Sequence, residues 1–281
     1  MARLHVTAPR RKAARLAANL VALVIGVSFV IPLAWIVLTS LNPEATVSLQ
    51  WPGVFSLANF QAVWTIDQTI RPIWNSIIIS ASTAAITCVA ALLAAYPLSR
   101  YRMRFRQPFL YTILFGTCLP ITAIMVPVYS LFVSLRLLNS SLGVIAFMTA
   151  TSLPMAIWMT KNFMDSVPIS LEEAAWTDGA NAMRALAGIV APLMTAGIAV
   201  VFVFVFTGTW GNFFVPFILY STPDKFPAAV EIYQFFGMHG TVQYGKLAAF
   251  SVLYSTPALV LYLIAQRLSG GNFAMAGAVK G

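Results

Sequence analysis

Residues 170–192 read SLEEAAWTDGANAMRALAGIVAP, and their pattern predicts a short helix, a glycine break and a second helix. Ser170 followed by Glu173 is typical of a capping box, in which each side chain bonds the backbone amide of the other residue. Gly179 stands where a left-handed turn would end the first helix. Asn181 is suited to cap the second helix. The stretch carries four charged residues, Glu172, Glu173, Asp178 and Arg184.

This charged stretch is unusual in its chain. Of the 281 residues, 59% are hydrophobic and only 9% are charged, whereas soluble domains carry roughly 25% charged residues. The composition therefore indicates an integral membrane protein. The net charge is +9, and the basic residues lie between apolar runs. This pattern favours a role in membrane topology over nucleic-acid binding. Two cysteines inside apolar runs and two separate histidines offer no disulfide and no metal site.

The rest of the chain contains six uncharged apolar stretches. Each is about long enough to cross a bilayer. Because a charge at the centre of a spanning helix costs about 2.5–3.5 kcal/mol, the arginine-rich linker 99–107 must end a span. The sequence therefore predicts an all-α integral membrane protein with six transmembrane helices, a basic tail over 1–16 and a second tail over 268–281. The predicted spans are about 17–41, 73–98, 108–133, 142–160, 193–219 and 247–265.

The lysines and arginines of the linkers predict the orientation. Thirteen of them lie on the side of the two termini and four on the opposite side. The positive-inside rule then places both termini, and the 161–192 linker, in the cytoplasm. The outer linker 218–246 is rich in aromatic residues and proline. It is either an aromatic belt at the membrane interface or a surface for an outside partner.

Several motifs resemble one transporter family. Glu173-Ala174-Ala175, Gly179, Ile189 and Pro192 stand at the spacing E-A-A-x3-G-x9-I-x-L-P, with Ala191 in place of the leucine. This is similar to the EAA motif of permease subunits of binding-protein-dependent ABC importers. Residues 94–100 (AAYPLSR), 137–143 (LLNSSLG) and 178–180 (DGA) resemble stretches of the MalG-like permeases of carbohydrate importers.

The resemblance implies a type I ABC importer permease fold in the cytoplasmic membrane. It also implies that residues 168–192 are a coupling segment, docked in a groove of a cytoplasmic ATPase. The coupling residues would be Glu172, Glu173, Ala174, Ala175, Asp178, Gly179, Ile189 and Pro192. The implied partners are a second permease, two ATPase subunits and an extracytoplasmic binding protein. ATP and Mg would sit on the ATPase, since the chain lacks the G-x-x-x-x-G-K-[ST] phosphate loop and is expected to bind no cofactor.

Candidates for the substrate pathway are Asn75, Ser76, Trp210 and Asn212, because sugars are bound by hydrogen bonds and by stacking on aromatic faces. A packing role for Trp210 and a capping role for Asn75 remain open. The family's fifth span often carries Trp-Asn and an acid, whereas residues 210–213 read WGNF.

The predicted function is ATP-driven import of a sugar by a non-catalytic permease. The alternative is a permease of the same fold for glycerol phosphate or another small polar solute, with the partner permease supplying any basic pocket. A secondary transporter usually needs a carboxylate within a span, and the six stretches contain none. A membrane enzyme would need a catalytic cluster near a membrane face, and the sequence offers none.

Overall fold

A computed structural model describes residues 8–48, 50–237 and 242–268. Residues 269–281 of the predicted tail over 268–281, the first seven residues of the other tail and residues 238–241 of the outer linker lie outside these. Over the described residues the chain is helical and contains no β-strand. Its helices are α1 (Ala8–Ser40), α2 (Ala58–Val63), α3 (Arg71–Arg100), α4 (Arg106–Gly116), α5 (Ile121–Ser134), α6 (Ser141–Met164), α7 (Ser170–Thr177), α8 (Ala182–Ala185), α9 (Ala191–Leu193), α10 (Thr195–Trp210), α11 (Phe214–Leu219), α12 (Ala228–Gly237) and α13 (Tyr244–Leu268).

Four helical stretches are each long and apolar enough to cross a membrane, namely Arg15–Ser40, Ile66–Arg100, Ser141–Met164 and Tyr244–Arg267. Two bent pairs bring the number of candidate spans to as many as six. The α4–α5 pair bends by 87°, and the pair formed by Ala182–Leu193 and α10 bends by 82°. Pro120 caps α5 in an extended conformation, and proline keeps the residue before it out of the helical region. The first bend therefore has a local cause in the sequence.

The backbone divides into two compact units, one of residues up to Thr65 with Phe235–Leu253 and one of Ile66–Gln234 with residues from Tyr254 onward. In the first unit, α1 exposes large apolar side chains along its length, as a lipid-facing helix does. The buried Asn59 amide donates to the carbonyls of Ser40 and Asn42 at 3.1 and 2.8 Å. This amide group ties α2 to the end of α1.

In the second unit, α3 packs along α6 and α10. Small residues at the contact let these helices approach closely, which is how membrane helices commonly pack. Ala84, Ala91 and Ala95 of α3 are fully buried. A Cβ on Gly197 of α10 would stand 2.5 Å from the ring of Phe163 on α6. Helices α3, α6 and α10 therefore form one closely packed group.

Candidate functional site

The α7–α8 segment (residues 168–192) has a sharply defined turn between its two helices. The amide of Gly179 donates to the carbonyl of Trp176, and the amide of Ala180 donates to the carbonyl of Ala175 at 2.9 Å. This is the bonding pattern of a Schellman motif, with Gly179 in the left-handed region at φ 85°. The Asn181 side chain accepts from the amide of Arg184 at 2.9 Å. The predicted glycine break and asparagine cap are both confirmed.

The predicted capping box at the start of α7 is wrong. Ser170 is already the first residue of the helix, and Ile169 occupies the cap position without a side-chain hydrogen bond. The amide of Glu173 is satisfied by the carbonyl of Ile169 at 3.0 Å instead. Because the helix begins one residue earlier than a Ser170 cap requires, the Ser170 hydroxyl is not in the cap position. Glu173 thus has no capping role and is exposed.

The residues of the predicted coupling segment form two groups along the chain. Glu173, Ala174, Asp178 and Gly179 are exposed on the α7 turn, and Ala175 is half-buried beside them. Farther along, Ile189 is half-buried in the wide helical turn Leu186–Val190 that joins α8 to α9, and Pro192 is exposed in α9. The exposed residues of the segment therefore combine small side chains with two carboxylates.

Glu172 differs from its neighbour Glu173, because its side chain is fully buried. Both of its carboxylate oxygens are bonded to the last turns of α3. The Tyr96 hydroxyl donates to Oε2 at 2.8 Å, and Arg100 Nε donates to Oε1 at 2.5 Å. Arg100 also donates to the carbonyl of Val167 at 3.2 Å. These bonds hold the start of α7 against the end of α3.

A second polar group surrounds Asp165 at the end of α6. Its carboxylate accepts from the Ser99 hydroxyl at 2.6 Å and from Lys161, one helical turn earlier. Arg106 at the start of α4 lies 3.6 Å away. Arg100 donates to the Ser99 hydroxyl at 3.2 Å, which connects the Asp165 group with the buried Glu172 group.

Sequence reasoning did not assign Tyr96, Arg100 and Asp165 to the site. The arginine-rich linker was interpreted as the end of a span and as part of the charge asymmetry, and residues 94–100 only as a resemblance to carbohydrate permeases. The available signal was Glu172, a carboxylate within a segment of small residues. A buried carboxylate needs a cation beside it. The sequence offers Lys161 and four arginines nearby, and only the packing of α7 against α3 selects Arg100.

Asn75 and Ser76, two of the substrate-pathway candidates, bond the outer linker. The Asn75 amide donates to the carbonyls of Asp224 and Phe226 at 2.9 and 3.1 Å. The Ser76 hydroxyl accepts from the amide of Ala228 at 2.8 Å. Both side chains therefore hold the linker at the beginning of α3.

The same stretch of linker is also bound from the α5–α6 connection. Asn139, itself in the left-handed region at φ 54°, accepts from the amide of Ser221 and the hydroxyl of Thr222 at 3.2 and 3.1 Å. Lys225 donates to the Asn139 carbonyl at 2.6 Å. Residues 221–228 are thus fixed to two separate places on the second unit.

Trp210 and Asn212 lie in different surroundings. Trp210 is buried and stacked between Phe206 and Tyr254, with ring centroids 5.5 and 5.4 Å away. Asn212 follows the end of α10, where its side-chain oxygen accepts from the amide of Val215 at 3.0 Å. Asn212 also lines a cavity, whereas Trp210 does not.

This cavity, of about 700 Å³, lies among α6, α10 and the bend between α4 and α5. Its wall combines hydroxyl and amide groups with apolar surface, and no charged side chain occurs among the described residues that line it. The polar residues include Thr117, Ser152, Thr207 and Asn212, and Met155 and Phe204 supply apolar surface. Such a lining suits an uncharged polar molecule. No cluster of metal-ligating side chains occurs in the described part of the chain.

Comparison with known proteins assigns a family to this helical arrangement. Residues 86–271, well over half of the chain, match the model of the binding-protein-dependent transport system inner membrane component. The chain belongs to this family. The match includes the α7–α8 segment, the Asp165 group and the cavity. The family is one of transport permeases in a cell membrane, as the resemblance of the EAA-like motif implied.

Two relatives and one solved structure extend the comparison. A sulfoquinovosyl glycerol transport system permease of Agrobacterium fabrum is 30% identical over 72% of this chain and 73% of its own length. A diacetylchitobiose uptake system permease of Streptomyces coelicolor is 26% identical over 86% of this chain and 82% of its own. A crystal structure of a bacterial ABC transporter that imports alginate has a TM-score of 0.78 at 19% identity, covering 94% of this chain and 99% of that chain. This last likeness concerns the fold, which is that of a type I ABC importer permease.

Proposed function

We propose that this chain is the permease subunit of an ATP-driven importer that moves a sugar across the cytoplasmic membrane, and that α7 docks it on a separate ATPase. One observation carries the proposal: in a permease of this family, Glu173 and Ala174 of α7 and Asp178 at its end are exposed. The turn that follows α7 is fixed by Gly179 and by the Asn181 cap. A rigid, exposed helix of this kind can receive a push from a partner.

The chemistry of α7 supports docking on a basic groove. Ala174 and Ala175 have small side chains, so another backbone can approach closely. Glu173 and Asp178 are exposed carboxylates that can pair with arginine or lysine across an interface. Trp176, with 36% of its surface exposed, adds an aromatic contact of the kind that often anchors interfaces.

The remaining partners follow from this role. ATP and Mg would bind the ATPase subunits, and this chain would bind no cofactor itself. A second permease would complete the pathway, and an extracytoplasmic protein would deliver the substrate. The excess of lysine and arginine on the side of the termini and of residues 161–192 supports a cytoplasmic position for α7.

The sugar is proposed from the cavity and from the relatives. The names of both relatives describe carriers of carbohydrate derivatives. Ser152 and Asn212 can exchange hydrogen bonds with sugar hydroxyls, and Phe204 offers an apolar face for a sugar ring. The alternative substrate is glycerol phosphate or another small polar solute. Glycerol phosphate would need a cation for its phosphate. That cation would have to come from the second permease.

Reconstitution tests the proposal. The full chain is co-expressed with a candidate second permease, ATPase and binding protein from the same organism, and the complex is placed in proteoliposomes. We expect ATP-dependent uptake of at least one compound from a panel of radiolabelled disaccharides, and none of glycerol 3-phosphate. Uptake of glycerol 3-phosphate alone would support the alternative, and uptake by vesicles holding only this chain would overturn the role as a permease subunit.

Two variants test the docking surface. Glu173→Lys reverses an exposed charge on α7, so we expect it to abolish co-purification of the ATPase and uptake while membrane insertion persists. Glu44→Lys reverses an exposed charge outside the α7–α8 segment and serves as the matched control. If Glu173→Lys retains both the ATPase and uptake, α7 is not the docking surface.

A further inference from the structure

Two adjacent glutamates on α7 have opposite environments. Glu173 is exposed, whereas the side chain of Glu172 has 0% of its surface exposed. A carboxylate with no accessible surface cannot contact a docked partner. Glu172 therefore needs a role inside the chain, although the family resemblance implied that it is one of the coupling residues.

We propose that Glu172 is a positioning residue that locks α7 to α3, so that the two helices move as one body when the ATPase displaces α7. This inference rests on the proposed function for the origin of the displacement. The lock itself depends only on this chain. Its parts are Glu172 on α7 and Tyr96 and Arg100 on α3.

The geometry of the lock leaves α7 little freedom. Tyr96 and Arg100 stand one turn apart on α3, and each takes one oxygen of the Glu172 carboxylate, at 2.8 and 2.5 Å. Arg100 is itself shielded, with 5% of its side chain exposed, and it also holds the carbonyl of Val167 just before α7. A slide or rotation of α7 against α3 would break several of these bonds together.

Burial makes the lock stiff. When one partner of a buried ion pair is lost, the other charge stays in a low-dielectric environment without compensation, which strongly disfavours the separated state. The ion pairs around Asp165 are more open, since about a third of the Asp165 side chain is exposed, and exposed pairs contribute little. The buried Glu172 pair is therefore harder to separate than the pairs around Asp165.

The lock leads from α7 to the cavity through direct packing. Tyr96 and Arg100 lie in the last turns of α3, and α3 packs along α6 and α10. Ser152 of α6 and Phe204 of α10 line the cavity. A displacement of α7 that is passed rigidly to α3 thus reaches the helices around the proposed substrate pathway.

A distance measurement tests the lock without any partner protein. The full chain, with Cys88 and Cys118 replaced by serine, receives spin labels at Ala174→Cys on α7 and Val89→Cys on α3, both exposed positions. Double electron–electron resonance in lipid nanodiscs then reports the distribution of the label distance. We expect Glu172→Gln and Arg100→Gln to broaden it, and the matched control Glu173→Gln to leave it unchanged. An unchanged width in folded Glu172→Gln would overturn the lock.

Additional variants cover the case in which a single charge removal prevents folding. Tyr96→Phe keeps the ion pair and loses one hydrogen bond, so it should broaden the distribution less than Glu172→Gln. The double variant Glu172→Gln with Arg100→Gln removes both buried charges, so it should be more stable than either single variant because neither charge is left unpaired. Its distance distribution should nevertheless stay broad, because the bond that restrains α7 is gone. A folded double variant with a distribution as narrow as that of the unaltered chain would overturn the lock.

Transport measurements separate the lock from docking. In the reconstituted importer, Glu172→Gln should keep the ATPase bound and stimulated by the binding protein, while uptake per ATP falls by about tenfold or more because α7 can then move without carrying α3 with it. Loss of ATPase association in Glu172→Gln would make Glu172 a docking residue and overturn the inference. If the unaltered importer shows no stimulated ATP hydrolysis, the proposed function fails, and the spin-label result still decides the lock.

Discussion

Arg100 Nε donates to Glu172 Oε1 over 2.5 Å, joining the last turn of α3 to the first turn of α7. Both side chains are almost entirely shielded from solvent. The neighbouring residue Glu173 is exposed. One short helix therefore carries one carboxylate on its buried side and another on its exposed side. A segment built in this way can present a docking surface on one side while it is anchored on the other.

Loss of the Tyr96 hydroxyl should weaken this anchor measurably. We expect Tyr96→Phe to lower the free energy of unfolding by about 1.5–3 kcal/mol, the range for a hydrogen bond to a charged group. Tyr101→Phe is the control, because Tyr101 is exposed and packs edge-on against Tyr96. Thermal unfolding in detergent compares the two. Equal losses would mean that the Tyr96 hydroxyl contributes nothing specific.

Gly179 should tolerate no side chain without strain. Its φ of 85° lies in the left-handed region, where a Cβ costs roughly 1–2 kcal/mol, although the space around it is open. We expect Gly179→Ala to destabilise the chain by that amount. Gly188→Ala is matched, since its Cβ would also meet open space and its φ is not in that region. It should leave stability unchanged or raise it slightly. Unfolding midpoints of the two variants decide the comparison.

The beginnings of α7 and α8 should respond differently to alanine. Asn181 caps α8 with its side-chain oxygen, so Asn181→Ala should cost about 1 kcal/mol. Ser170 has no capping bond, and Ser170→Ala should be close to neutral. Hydrogen exchange of the α7 and α8 amides would locate each effect. A large effect of Ser170→Ala with none of Asn181→Ala would restore the capping box and contradict the observed helix start.

Glu231 on α12 should make stability depend on pH. The residue is 8% exposed, and burial, together with the nearby Asp67 carboxylate, raises its pKa from 4.5 to about 7. The folded chain thus holds this proton more tightly than the unfolded chain. The free energy of unfolding should therefore fall as pH rises from 4.5 to about 7, by roughly 3 kcal/mol.

Glu231→Gln removes this titration and should flatten the pH profile of unfolding over that interval, with a gain in stability above pH 7. Glu44→Gln, at an exposed position, is the control and should leave the profile unchanged. Chemical denaturation between pH 4 and 8 makes the comparison. A profile of Glu231→Gln that still falls with pH to the same extent would assign the dependence to another group.

Some of the site was readable from local sequence. The left-handed Gly179 and the Asn181 cap were predicted correctly because both depend on bonds within a few residues of the chain. The capping box failed because Ser170 and Glu173 have the right spacing, yet α7 begins one residue too early for Ser170 to be its cap. A shift of one residue at a helix end is beyond the precision of a sequence pattern.

Residues acting over long separations were harder to interpret. Asn75 and Ser76 were predicted to lie on the substrate pathway, and in the structure they bond linker residues about 150 positions away. Trp210 packs in an aromatic stack, and of the four candidates it is Asn212 that lines the cavity. Polar and aromatic side chains look alike in a sequence whether they bind a ligand or hold a loop.

The sequence by itself determined the apolar, uncharged helical stretches, the charge asymmetry of the linkers and the family motif with its glycine turn. These features depend on composition and on neighbours along the chain. Only the tertiary structure decided that Glu172 faces α3 while Glu173 faces outward, and that Arg100 rather than another nearby cation neutralises it. The physical reason is that burial and charge pairing are settled by which helices pack together, over a separation of 72 residues.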